Sequence, residues 1–150
     1  MIRMSKETDY GIVVLAYFAS AQEGLKQNAR EVAMESQLPL PMVRKILKIL
    51  AREGLLVSQR GAKGGYSLTR GGERISIAEI VTAIEGPLAM TECIEAPGEC
   101  RHEPVCGIRT SWQKINQIVF QALNNMTLSD LTGPLPGPMG SDPGKLVSLQ

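Results

Sequence analysis

Apolar residues recur at helical spacing along the first half of the chain, in runs cut by polar caps, prolines and glycines. Ile12, Leu15, Ala16 and Ala19 follow the 3.6-residue period, and Val13, Val14, Tyr17 and Phe18 fill the other faces. A buried first helix is therefore expected after Thr8-Asp9-Tyr10, ending near Gly24. Asn28, with Glu31 three residues on, reads as a capping box that opens a short second helix over 29–36. Pro39 and Pro41 break it, leave Leu40 extended, and set Pro41 at the start of a third helix over 41–53. In that helix Val43, Ile46, Leu47 and Leu50 form an apolar stripe. Arg44, Lys48 and Arg52 lie four apart on another face, with Lys45 beside them.

Two short strands, L-L-V-S-Q-R and Y-S-L-T, flank the loop G-A-K-G-G, which predicts a hairpin with a slim tip. A hairpin behind two helices joined by a short turn is a wing behind a helix-turn-helix. Ser76 is placed to cap a fourth helix running to Glu85, with Ile77, Ile80, Val81 and Ile84 in period; Gly86-Pro87 ends it. From Ile108 the spacing becomes heptad-like through Trp112, Ile115, Val119, Ala122 and Met126, widened by Ile118 and Leu123. That suits a helix packing against its twin. The expected fold is mainly α with a small β-hairpin: a winged helix-turn-helix DNA-binding domain (1–88), a cysteine loop (89–107), a dimerisation helix and short cap (108–132), and a Pro/Gly-rich tail (133–150) expected to be disordered.

Charge sharpens this picture. The net formal charge is +1, yet residues 1–75 hold 12 Lys and Arg against 7 Asp and Glu, and residues 76–150 hold 4 against 8. Between 40 and 74 the basic residues are Arg44, Lys45, Lys48, Arg52, Arg60, Lys63, Arg70 and Arg74, against Glu53 and Glu73. One positive end on a near-neutral protein points to a polyanion. Met42, Arg44, Lys45 and Lys48 are the candidates for reading a DNA groove, and Arg60 and Lys63 at the wing tip for a backbone or minor groove. The first residues lack the pattern of a signal peptide, and the longest apolar run is too short to span a bilayer, so a cytoplasmic protein without membrane partners is expected.

All 3 cysteines, Cys93, Cys100 and Cys106, fall in one stretch spaced C-x6-C-x5-C. An odd number of thiols cannot all pair as disulfides, and in the cytosol clustered cysteines more often bind metals or act in redox chemistry. Inert buried thiols, a redox disulfide pair and a zinc site are the alternatives; zinc sites favour C-x2-4-C pairs, which are absent from this sequence. An iron–sulfur cluster is the favoured reading. The flanking Glu92, Glu95, Glu99 and Glu103 disfavour thiolates, so a cationic centre has to stabilise them. His102, the lone histidine, is read as facing solvent rather than as a fourth ligand, and Trp112 as packing. With no Ser/His/Asp set, phosphate loop or carboxylate pair, enzyme readings are weak.

R-M-S-K-E-T-D-Y-G, L-V-S-Q-R-G-A-K-G-G-Y-S-L, I-S-I-A-E-I-V-T-A-I-E-G, the three cysteines, R-T-S-W and N-N-M-T-L-S-D-L together resemble the IscR/NsrR family of winged-helix regulators over residues 1–132. T-D-Y-G-I-V-V-L-A-Y and E-G-P-L-A-M-T-E-C look most like the regulators of the SUF iron–sulfur assembly system. The resemblance implies a homodimer on operator DNA and a cluster on Cys93, Cys100 and Cys106, [2Fe-2S] ranking ahead of [4Fe-4S]. IscR-type members carry a histidine where this chain has Arg109. NsrR-type members use an aspartate near the N-terminus of the partner subunit, which matches Asp9 here. The expected function is a cluster-sensing repressor of iron–sulfur assembly genes. The rivals are an iron–sulfur or zinc carrier that regulates no DNA, a zinc-stabilised repressor that senses nothing, and, within the regulator class, a nitric-oxide or redox sensor.

Overall fold

The computed structural model describes residues 3–22 and 24–132, so the tail expected to be disordered lies outside the described residues. The elements run α1 (Lys6–Ser20), α2 (Ala29–Ser36), α3 (Leu40–Arg52), β1 (Leu56–Gln59), β2 (Gly65–Leu68), α4 (Ile77–Glu85), α5 (Glu92–Glu95), α6 (Arg109–Asn124) and α7 (Leu128–Thr132). The fold is thus mostly helical with one antiparallel hairpin, as the pattern of apolar positions requires.

Local signals placed several of these elements. Asn28 and Glu31 make a reciprocal capping box at α2, and Ser76 and Glu79 make another at α4. Each satisfies backbone N–H groups that a helix start leaves unpaired. The hairpin pairs Leu56 with Leu68 and Gln59 with Gly65. Gln27 adds a one-residue rung on the other edge of β2 by exchanging two backbone bonds with Tyr66, at 3.0 and 2.8 Å. A Cβ on Gly65 would meet the Gln27 backbone at 2.8 Å, so the rung needs glycine there.

Three boundaries differ from expectation. Helix α1 starts at Lys6, capped by the Ser5 side chain, and stops at Ser20 instead of near Gly24. Thr8, expected to precede the helix, lies within it and is fully buried, and its hydroxyl donates to Glu85 at the end of α4. The bonds from the Ser5 side chain, Thr8 and the Ser5 N–H hold the Glu85 carboxyl below the usual range. Leu40, expected extended before Pro41, is the first helical residue of α3; Pro39 stands at the N-cap position without a side-chain capping bond, and a proline in the first turn removes no helical bond. Segment 127–132 is more than a cap. Ile77 N–H donates to Met126 O and Leu128 N–H to Ile75 O, both at 2.8 Å, bridging α7 to the segment before α4.

The core is one cluster. Val14, Leu15 and Phe18 of α1 meet Val43, Ile46, Leu47 and Leu50 of α3, with Ile80 and Val81 of α4 and Leu128 of α7 completing it. Gly11 leaves room for the end of the Ile84 side chain of α4, which a Cβ at that position would force to shift. Helices α1, α3 and α4 therefore share one interior.

Candidate DNA-binding face and cysteine loop

Helices α2 and α3 are joined by a turn in which Gln37 adopts a left-handed conformation (φ 56°), with its N–H bonded back to α2. That turn sets α3 with its apolar stripe inward and Arg44, Lys45 and Lys48 outward and exposed. Met42 does not stand free with them: it is half-buried and packs on the core. Arg60 and Lys63 are exposed at the tip of the hairpin.

Ion pairs sort the basic residues into two sets. Lys45 binds Glu7 of α1 at 2.5 Å, Arg52 binds Glu53 at 2.9 Å, Arg74 lies 3.7 Å from Glu73, and Arg70 pairs with Glu79. Burial raises the Glu79 pKa, but bonds from Ser76 and the Arg70 charge outweigh it and leave the carboxyl below its usual range. Of the basic residues between 40 and 74, Arg44, Lys48, Arg60 and Lys63 have no such carboxylate partner among the described residues, so the unpaired positive charge of that segment lies on the outer face of α3 and the wing tip. Glu7, which holds Lys45, follows from no local pattern.

Behind α4 the chain turns into the cysteine loop, and α6 pins it at both ends. Asn116 of α6 donates from Nδ2 to Leu88 O and accepts from Met90 N–H, each at 3.0 Å. Farther on, Glu103 accepts from Gly98 N–H at 2.7 Å through Oε2 and pairs with Arg109 Nη2 at 2.8 Å through Oε1. Nothing about Asn116 or Glu103 in the sequence announces these roles; both lie among ordinary surface polars. The loop also contains the single turn α5, which places Cys93 on a helix with its Sγ 3.3 Å from Thr91 Oγ1.

Cys93, Cys100 and Cys106 are all free thiols and all half-buried. Among the described residues no three His, Cys, Asp or Glu side chains gather closely enough to hold a metal ion. Asp9 stands exposed on α1, outside any such group, and His102 is exposed in the loop. In kind the donors suit an iron–sulfur group, which is held by thiolates. In position, one chain alone does not bring them into a closed set.

Helix α6 buries no residue within the chain. Its seam is open: Ile108 is 58% exposed, Ile115 39%, Ile118 52% and Met126 44%. Leu123 turns inward to the core, and Phe120, absent from the heptad pattern, lines a cavity with Ala83 of α4. No described helix is long and apolar enough to cross a membrane.

Comparison with known proteins agrees with this architecture. At 33% identity over 137 residues the chain is similar to the protein aau3 of Rhizobium meliloti, covering 90% of this chain and 88% of that one. It superposes on CymR, the global cysteine regulator of B. subtilis, with a TM-score of 0.68 at 25% identity, covering 88% of this chain and 97% of that one. T. potens IscR shares the fold, with a TM-score of 0.65 at 23% identity over 87% and 85% of the two chains. The family model described as Rrf2, iron-dependent transcriptional regulator, matches residues 4–134. A winged helix with a bare basic face, matched over nearly its whole described length, leaves no role for an enzyme: the chain belongs to the Rrf2 family of DNA-binding transcriptional regulators.

Proposed function

We propose that this regulator is a homodimer that senses an iron–sulfur cluster on Cys93, Cys100 and Cys106 and thereby controls, as a cytoplasmic repressor, the genes of SUF iron–sulfur assembly. The observation that supports the reading most is that the loop carrying the three free thiols is tied, through Leu88, Met90 and Glu103, to α6, the helix with the open apolar seam. A loop held by the dimer helix reports any change in its own shape to the way two copies pack. The thiolates would hold the cluster, [2Fe-2S] ranking first, and Asp9 of the second copy is the candidate for the remaining position. The cluster supplies the difference in free energy between two arrangements of the dimer; without such a difference no binding equilibrium shifts. SUF genes as the target rest on the resemblance of two sequence stretches.

On DNA, Arg44 and Lys48 face the major groove, Lys45 joins them when released from Glu7, and Arg60 and Lys63 reach the backbone or minor groove. Met42 contributes only its exposed edge. Replacing Arg60 by Ala is expected to weaken operator binding by about 1–3 kcal/mol if the side chain contacts a base. A salt-titrated mobility-shift assay checks this, and unchanged affinity removes the wing from the interface.

Replacement of Cys93, Cys100 or Cys106 by Ala tests the sensor. None of them belongs to the core, so each variant should keep its helicity and its dimeric mass while losing visible absorbance after anaerobic purification. Unfolding of all three would make the site structural. A second reading, a thiol-based regulator without a metal centre, is favoured by the failure of the three thiols to gather within one chain. Colour in anaerobically purified protein separates the two.

A further inference from the structure

One acidic side chain from elsewhere in the fold reaches the basic outer face of α3. Lys45 is 57% exposed, yet its Nζ lies 2.5 Å from a carboxylate oxygen of Glu7 in α1, whose side chain is 32% exposed. Arg44 and Lys48 on the same face have no carboxylate partner among the described residues. Arg52 has one, but from its sequence neighbour Glu53. Lys45 is thus the residue of that face whose charge a second helix offsets.

The fold fixes where this carboxylate stands. Glu7 lies in the first turn of α1, just behind the Ser5 cap. Glu85 at the end of α4 accepts from the Ser5 N–H at 2.9 Å and from the Thr8 hydroxyl, so the turn is held on both sides of Glu7. Farther along α1, Val14 and Leu15 share the core with Val43, Ile46 and Leu47 of α3, which keeps the two helices side by side. The positive end of the α1 dipole favours a charged carboxylate in this turn. Lysine is a point charge on a flexible stem, and a phosphate suits it as well as a carboxylate does.

We propose that Glu7 is an affinity-determining residue for DNA: it occupies Lys45 as a phosphate would, and so withholds one cationic contact from nucleic acid. The inference rests on the outer face of α3 being the DNA face, and goes beyond it by assigning a built-in competitor. An exposed ion pair is weak and screened by salt, so the competition lowers affinity without abolishing it. Phosphate contacts carry no sequence information. The competition therefore acts alike on target and unrelated DNA.

The test uses the full chain and two duplexes of equal length, its own promoter DNA and a scrambled sequence, titrated across salt. Glu7→Gln and Glu7→Ala should each bind both duplexes about 2–5-fold tighter at low salt, the strength of an exposed ion pair. The gain should fade as salt rises. Damage to the fold would lower affinity and cannot mimic such a gain. In a Lys45→Ala background the same changes at Glu7 should give no gain, which separates competition for Lys45 from repulsion of phosphates by Glu7 itself. A gain that persists without Lys45 overturns the proposal. So does a gain on promoter DNA alone, which would put Lys45 on a base. Lys48→Ala serves as the reference for the face. If it weakens binding while both Glu7 variants bind no tighter than wild type, the competition is overturned alone. If Lys48→Ala binds both duplexes as tightly as wild type, the DNA reading of α3 falls and the inference with it.

Discussion

Replacing Ile118 by Glu should convert the protein to a monomer that folds normally and binds its operator poorly. Ile118 is 52% exposed in the single chain, so the monomer loses little by the change. In a dimer packed along α6 the same position is covered by a second copy. Each chain then forfeits about 1.5–3 kcal/mol of apolar burial, and a symmetric interface suffers this twice and must also desolvate two carboxylates. Loss of the second recognition helix removes the advantage of two linked contacts, worth about 10²–10⁴ in affinity. Sedimentation gives the mass and a mobility shift gives the affinity. A dimer of unchanged stability would move the interface away from α6.

Leu128 predicts the reverse, a large loss of stability with no direct effect on DNA contacts. It is fully buried although it belongs to the five-residue helix α7. Its backbone is bonded to Ile75, and its side chain fills the cluster built from α1, α3 and α4. Leu128→Ala should cost about 2–5 kcal/mol, transfer loss plus cavity. At about 4 °C per kcal/mol for a domain near this size, the unfolding midpoint should fall by about 8–20 °C. Calorimetry at matched protein concentration checks it. A drop of only a few degrees would show that α7 is an ornament on a core closed without it.

The contrast between Leu128 and Ser76 shows where sequence reading works. Caps at α2 and α4 were legible because partner and donor lie three residues apart, and the stripe of α3 because helical period alone sorts its faces. Burial of Leu128 was not legible, since it depends on a bridge between residues about fifty apart in the chain. The start of α1 is capped by Ser5, which accepts from Thr8 N–H; the bond from the Thr8 hydroxyl to Glu85, across the fold, is the part that no local pattern encodes. In the site, the exposed basic residues and the cysteine spacing were visible, but the pairing of Lys45 with Glu7 and the grip of Asn116 on the loop were not. Single polar residues acquire such roles only from the tertiary fold, which no periodicity encodes. Met42 sits among basic residues of α3, yet part of its surface packs on the core, a placement that its neighbours in sequence do not encode.

The most direct measurement pairs composition with binding on one sample. Protein purified without oxygen is assayed for iron and acid-labile sulfide, its visible spectrum is taken, and its affinity for its own promoter DNA is measured before and after a chelator removes the metal. Iron and sulfide present together, with an affinity that changes when they are stripped, is the predicted result. Colourless protein lacking both, holding the DNA equally well before and after the chelator, would contradict the account.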